Sequence, residues 1–109
     1  MATTYKVLGQ AAPAATTETD LYTVPASTMT VVSTISIANR AATDATFRIS
    51  ISVNGAATAT KDYMAYDLSV AGNGYVAFTI GATMDSTDKI RVYASSANLS
   101  FAVFGSEIA

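Results

Sequence analysis

Phe47-Arg48-Ile49-Ser50-Ile51-Ser52-Val53 alternates a bulky apolar residue with a polar one at every step. Phe47, Ile49, Ile51 and Val53 fall on one side of an extended chain, and Arg48, Ser50 and Ser52 on the other. A period of two is what a strand buried on a single face requires. The same beat returns in Val76-Phe78-Ile80, in Ile90-Val92-Ala94 and in Leu99-Phe101-Val103. No i, i+3, i+4 apolar stripe of useful length competes with it. The alternation predicts an all-β chain.

Toward the N-terminus, Asn39 to Asp44 reads as a polar corner, preceded by a long strand from Met29 to Ala38. Val31, Ile35 and Ile37 share one face of that strand, while Val32 makes its start apolar on both sides. Asp20 to Val24 is a further strand, stopped by Pro25, which cannot donate to a ladder. Ala11 to Thr17 has small residues around Pro13, a linker composition. Tyr5 to Leu8 before it reads as a short strand or an extended arm reaching onto a neighbouring subunit. The alternative is an edge strand of the same domain.

Toward the C-terminus, Asn54-Gly55 is a pair comfortable at positive φ and predicts a tight turn. Lys61 to Val70 follows as a strand around Tyr63, Met64, Tyr66 and Leu68, and Gly72-Asn73-Gly74 marks the sharpest turn. Tyr75 to Ile80 returns from it. Gly81 to Asp88 reads as a loop in which Met84 plugs the core from the side. Lys89 to Ser95 and Leu99 to Phe104 read as a last hairpin across Ser96-Ala97-Asn98. About eight strands at such turn spacings predict a single antiparallel β-sandwich, jelly-roll or immunoglobulin-like. The expected division is an arm and linker over residues 1–17 and a sandwich over 18–109. Alternation assigns faces but not neighbours, so strand order stays open.

Composition narrows what such a body can do. The 109 residues suit one domain with a single modest core. Cysteine, histidine and tryptophan are all missing. Without cysteine there is neither a disulfide nor thiolate ligation, and without histidine the commonest general base and metal ligand is gone. Half the chain is hydrophobic but only 13% is charged, with a net charge of −2 carried by scattered residues. No basic patch points to nucleic acid. No apolar stretch approaches the roughly 20 residues that span a bilayer. The opening Met1 to Gln10 lacks the basic and apolar regions of a secretory signal, which implies synthesis in a cytoplasm. An ordinary monomer keeps roughly a quarter to a third of its surface charged. A skin of Thr, Ser and Ala suits a subunit packed against neighbours, since few charges need desolvation there.

Candidate chemistry is thin. Nucleophilic catalysis needs a base beside the hydroxyl, and no histidine or thiol supplies one. Asp62 and Asp67 sit an odd number apart on one expected strand and so point to opposite faces. Asp85 and Asp88, with Asp44 if the loops gather, are the remaining carboxylates for acid–base work or calcium. Loop aspartates ordinarily cap turns by accepting backbone N–H bonds, and a calcium loop brings three or more acidic groups together. The expectation is therefore no enzyme, no cofactor and no metal. Asn98-Leu99-Ser100 matches a glycosylation sequon without a signal peptide to give it meaning. Tyrosines are the other resource. Alternation turns Tyr75 and Tyr93 outward, on strands that could neighbour each other, to stack on sugar or to anchor a protein contact. With no tryptophan and no flanking polar cluster, protein contact is favoured. The expected contact residues are Tyr5, Val7 and Leu8 in the arm, with Tyr75, Tyr93 and Phe104 on outward faces.

Met1 to Gln10, Asp20-Leu-Tyr-Thr-Val-Pro25, Val31 to Arg40, Tyr63-Met-Ala-Tyr-Asp67, Val92 to Phe101 and Phe104-Gly-Ser-Glu107 together resemble small virion structural proteins of tailed bacteriophages. Aquatic phages, cyanophages among them, are the richest source of such chains, and the likeness runs over nearly the whole sequence. It implies a non-enzymatic β domain built into the particle, with no cofactor. Its partners would be a major capsid protein or tail proteins and further copies of itself around a two- or three-fold axis, a trimer being one form. No nucleic acid or membrane partner is implied. The implied role is capsid decoration (cement) or a tail- or fibre-associated subunit, with position in the particle left open. The alternative is a host-surface glycan-binding adhesion module of the tail, using tip loops 39–44, 54–60 and 71–74.

Overall fold

The computed structural model describes residues 2–109. Met1, on which the expectation of cytoplasmic synthesis partly rests, lies outside them. Eight strands follow in order: β1 (Thr3–Ala11), β2 (Thr19–Thr23), β3 (Met29–Asn39), β4 (Ala45–Ser52), β5 (Tyr63–Val70), β6 (Tyr75–Met84), β7 (Lys89–Ala94) and β8 (Leu99–Ile108). They form two antiparallel four-stranded sheets, ordered β1-β8-β3-β6 and β2-β7-β4-β5. Strand one pairs with eight, two with seven, three with six and four with five. That nested pairing is the jelly-roll path, and it decides against the immunoglobulin-like alternative.

The alternating stretch around Phe47 behaves as its pattern demands. Phe47 and Ile49 are buried and Ile51 packs against the core. The Phe47 ring meets Phe101 edge-on at 6.3 Å and Phe78 at 6.0 Å, both from the opposite sheet. Ile35, Ile37, Ile90, Val92, Leu99 and Val103 fill the space around these rings and are sealed from solvent. Each such side chain contributes about 1.5–3 kcal/mol on burial. Val53, expected to continue the buried face, is exposed because the strand stops at Ser52 and turns. Asn54 and Gly55 both take positive φ in that turn, as their residue types predict.

Several sequence expectations are corrected. Residues 3–11 are not a free arm: β1 pairs along β8 as an edge strand of the first sheet. The partner exists because β8 runs on to Ile108, past the Phe104 expected as its end. Pro13 in the expected linker is buried, and the Thr16 N–H donates to the Ala94 carbonyl at 2.8 Å. The connection is thus laid onto the sandwich. Strand β6 continues through Gly81, held at φ 58°, as far as Met84, so the loop expected from residue 81 spans only 85–88. Met84 is buried as expected, but as a strand residue. Residues 60–62 form a 3-10 turn before β5. The last two strands are not a hairpin, since β7 and β8 lie in opposite sheets.

Val31 changes sides. Against β8, a register shift between Val32 and Thr34 makes Ser33 an extra residue, which reverses the alternation within β3; against β6 the extra residue lies on β6, at Ile80–Gly81. Val32 is fully buried before the bulge and Ile35 and Ile37 after it, leaving Val31 outward.

Candidate functional site

The two outer faces of the sandwich differ in kind. The four strands of the first sheet contain only two charged residues, Lys6 and Glu107. These pair with each other, Nζ to Oε1 at 2.8 Å. Glu107 lies mostly out of solvent, accepting the Tyr22 hydroxyl at 2.5 Å, and Tyr22 in turn meets the Thr30 hydroxyl at 2.8 Å. No charged residue holds an outward register position on this sheet, and the half-exposed, paired Lys6 lies at its margin.

Ladder register sets out that face in rows. Thr3, Ile108 and Met29 form one; Tyr5, Ser106, Val31 and Thr83 the next; then Val7, Phe104, Thr34 and Thr79. Beyond the bulges come Gln10, Ala102, Ser36 and Ala77, and last Ser100, Ala38 and Tyr75. One half therefore carries the large apolar side chains among Ser and Thr, and the other is small and neutral apart from Tyr75. Tyr5 is 83% exposed and Val7 48%, with Met29, Val31 and Phe104 each at least a third exposed. A shallow depression lined by Tyr5, Lys6, Val31, Ser33, Phe104 and Gly105 sits among them. The alternating β8 pattern put Phe101 inside and Phe104 outside, and the structure has them so.

The second sheet satisfies its own charges. Asp20 accepts from Lys89 Nζ at 2.8 Å and Arg91 Nε at 3.0 Å. Arg48 donates to Asp67 at 2.7 Å while its guanidinium lies 4.2 Å from the Tyr66 ring centre and 4.4 Å from that of Tyr93. Arg91 also donates to the Ala56 and Gly55 carbonyls and to the Ser52 and Thr58 hydroxyls, which folds residues 55–58 down over this face.

Of the six expected contact residues, Tyr5, Val7 and Phe104 come together. Tyr75 shares their face at its far corner, 77% exposed. Leu8 does not join them: it is the extra residue of the β1 bulge, half-buried against the core. Tyr93 is occupied on the opposite face by Arg48, and it is not beside Tyr75 because β6 and β7 belong to different sheets. Met29, Val31 and Ile108 are members that sequence reasoning missed. Only the bulge at Ser33 reveals Val31, and no residue type there signals it.

The carboxylates serve the backbone. Asp88, buried, accepts the Asn54 N–H on one oxygen and the Asp85 N–H on the other, both at 2.9 Å. Asp44 accepts the Gly72 N–H at 3.0 Å, at the opposite end of β4 from Asp88. It therefore does not gather with Asp85 and Asp88. Asp62 is buried in its turn, not on a strand with Asp67, and accepts the Ala59 N–H at 2.9 Å. That bond, with the Lys61 ammonium, holds its carboxyl below the usual range. No group of three or more metal-ligating side chains occurs among the described residues. A small apolar cavity of about 50 Å3 lies between Ile35, Ile49, Met64, Ala65, Phe78 and Ile80. It is far below the roughly 300–1,000 Å3 typical of small-molecule pockets, a range that three open surface depressions of about 440, 430 and 430 Å3 do reach.

The three tip loops do not converge. Loops 39–44 and 71–74 meet at one end, where the Asn73 N–H donates to the Ala41 carbonyl at 2.7 Å. Residues 54–60 leave the other end of β4 beside Asp88. No protein-family model matches the chain, and no curated protein matches it in sequence.

Proposed function

We propose that this chain is a non-enzymatic structural subunit of a bacteriophage particle, attached to the capsid as a decoration protein or built into the tail. Its task is geometric. It docks through the outer face of the first sheet onto another virion protein, and repetition by symmetry sums modest contacts into stability of the particle. The carrying observation is the asymmetry between a face with no outward charged position, where Tyr5, Val7, Val31 and Phe104 are exposed, and a charge-paired one. Exposed apolar residues gathered on one face mark interaction sites, and tyrosine and phenylalanine are favoured anchors there. The virion assignment itself is supported by the sequence resemblance. The jelly-roll path is compatible with it and equally with sugar-binding proteins, so the fold alone carries no preference. The glycan alternative is weakened by the separation of the tip loops.

The test is incorporation. Particles assembled in the presence of the Val7→Asp, Phe104→Asp double variant should lack it, while the wild-type chain is present at a fixed ratio to the shell or tail protein. Hundreds of copies per particle point to the shell, and dozens or fewer to the tail. Circular dichroism must show the variant folded. Undiminished incorporation of a folded variant defeats the proposed face, and absence of the wild-type chain from purified particles defeats the function.

A further inference from the structure

A sandwich of this kind has four open sheet edges, here β1, β6, β2 and β5. An open edge presents unpaired N–H and C=O groups that invite another strand, and natural proteins guard against it with bulges, charges and short strands. Three of the four edges are guarded. Strand β2 is five residues long, carries Asp20 and a register shift, and is followed by Pro25. Strand β5 shifts register twice and holds Asp67 at φ 54°, bound to Arg48. Strand β1 is bulged between Val7 and Gly9 and bears Lys6.

Strand β6 has its register shift at one end, at Ile80–Gly81, and leaves the stretch before it without such protection. Tyr75-Val-Ala-Phe-Thr-Ile80 contains no charge, proline or glycine. Tyr75 to Thr79 pairs with β3 in unbroken register, so this part of the edge is straight. Its backbone makes no ladder bond other than to β3 among the described residues. The segment combines β-branched and aromatic residues with neutrality, the combination that most favours adding a strand.

We propose that the β6 edge is a seam between two copies of this chain, joined antiparallel across a two-fold axis so that the first sheet becomes continuous through both. The occupant is set by the edge itself. Its free amides and carbonyls require an extended backbone, and its own sequence is a match for itself. An axis at Ala77 sets Tyr75 against the partner's Thr79 on the outer face and Val76 against the partner's Phe78 on the inner face. Both are aromatic–β-branched pairs of the kind that stabilise a sheet, and no like charges oppose each other because β6 has none. The small cavity beneath this edge is rimmed by Met64 and Ile80, each more than a third exposed, and a second copy would cover it. A two-fold contact also closes on itself, and the edges it leaves open are the guarded ones, β1, β2 and β5. This seam lies on a different part of the molecule from the Tyr5, Val7 and Phe104 face, and it stands whether or not that face docks onto a particle.

The test uses the full chain. Sedimentation velocity should find a dimer. Ala77→Lys and Ala77→Asp, at an exposed position, should each weaken dimerisation by about tenfold or more through like charges across the axis. Each should keep the wild-type circular dichroism and melting temperature, and an equimolar mixture of the two should restore the dimer. The chain has no cysteine, so Ala77→Cys offers a single thiol that should cross-link two copies on mild oxidation. A monomeric wild-type chain overturns the proposal. So does a dimer that survives both charge variants, or an Ala77→Cys chain that gives no cross-linked pair.

Discussion

Val7 stands directly opposite Phe104 across the β1–β8 ladder, and both side chains face out of the sandwich. Three residues earlier on the same strand, Phe101 faces in and is 1% exposed. The two phenylalanines should therefore separate stability from association. Phe101→Ala removes a ring packed against Phe47 and should cost about 3–5 kcal/mol in urea unfolding. Phe104→Ala should cost about 1 kcal/mol or less, a surface-type change, while lowering affinity for whatever the outer face binds. Equal losses of stability at the two positions would contradict the assignment of faces.

Strand existence was readable because alternation is a local property of the chain. Phe47, Val92 and Leu99 declare their sides without knowing their neighbours. What escaped is set by contacts distant in sequence. The hairpin expected at Ser96-Ala97-Asn98 is instead a crossing between sheets, since β7 is claimed by β2 and β4 and β8 by β1 and β3. Counting phase through Ser33 places Val31 on the face of Ile35 and Ile37, and a bulge there depends on the partner strands. The bulge at Leu8 has the same dependence. Alternation turns Tyr93 outward, and there its ring is occupied by an arginine from the adjacent β4 strand, which no spacing along β7 records.

Arg91 is the hub of the charged face. One guanidinium satisfies Asp20, two carbonyls of the 55–58 loop, Thr58 and the buried Ser52 hydroxyl. Arg91→Met keeps the aliphatic stem but removes every donor. Hydrogen bonds to charged groups contribute about 1.5–3 kcal/mol each, so a loss of at least that size is expected in denaturant unfolding. Proteolysis should locate the opening, with cleavage appearing first between residues 55 and 60. Resistance equal to wild type there would show that the loop is held by other means.

Gly72 has no room for a side chain. A Cβ at this position would overlap the backbone of Ala42 and Thr43, where two loops cross at one end of the sandwich. The Gly72 N–H is also fixed by the Asp44 carboxylate. Gly72→Ala must push the two backbones apart and should cost about 1–3 kcal/mol, the usual range for overpacking. Gly81→Asn at the β6 bulge is the informative control. Its φ is positive, but an added Cβ meets nothing within 4 Å, and asparagine tolerates that region. The melting temperature should fall clearly for the first variant and little for the second.

The Tyr22–Glu107 contact should contribute to the loss of stability at both pH extremes. The Lys6 ammonium, and then the Tyr22 hydroxyl, hold the Glu107 carboxyl below its ordinary value; Lys89 and Arg91 lower Asp20 against the opposing effect of burial. An unfolded chain takes up these protons first as pH falls. The stabilisation is thus present above about pH 4.3, the ordinary carboxylate value, and is lost as pH drops through the lower folded values. Burial, and then the Glu107 carboxylate, push Tyr22 the other way, up to about 12 from the ordinary tyrosine value of 10.0. Here the unfolded chain releases the proton first, so stability is whole below pH 10 and declines between about pH 10 and 12. Urea midpoints measured across pH should give a plateau with an acid and an alkaline shoulder. In Tyr22→Phe the alkaline loss in that window should shrink, and the acid shoulder should weaken because Glu107 loses a donor. If the alkaline limb is unchanged in Tyr22→Phe, another tyrosine or lysine governs it and the buried pair does not.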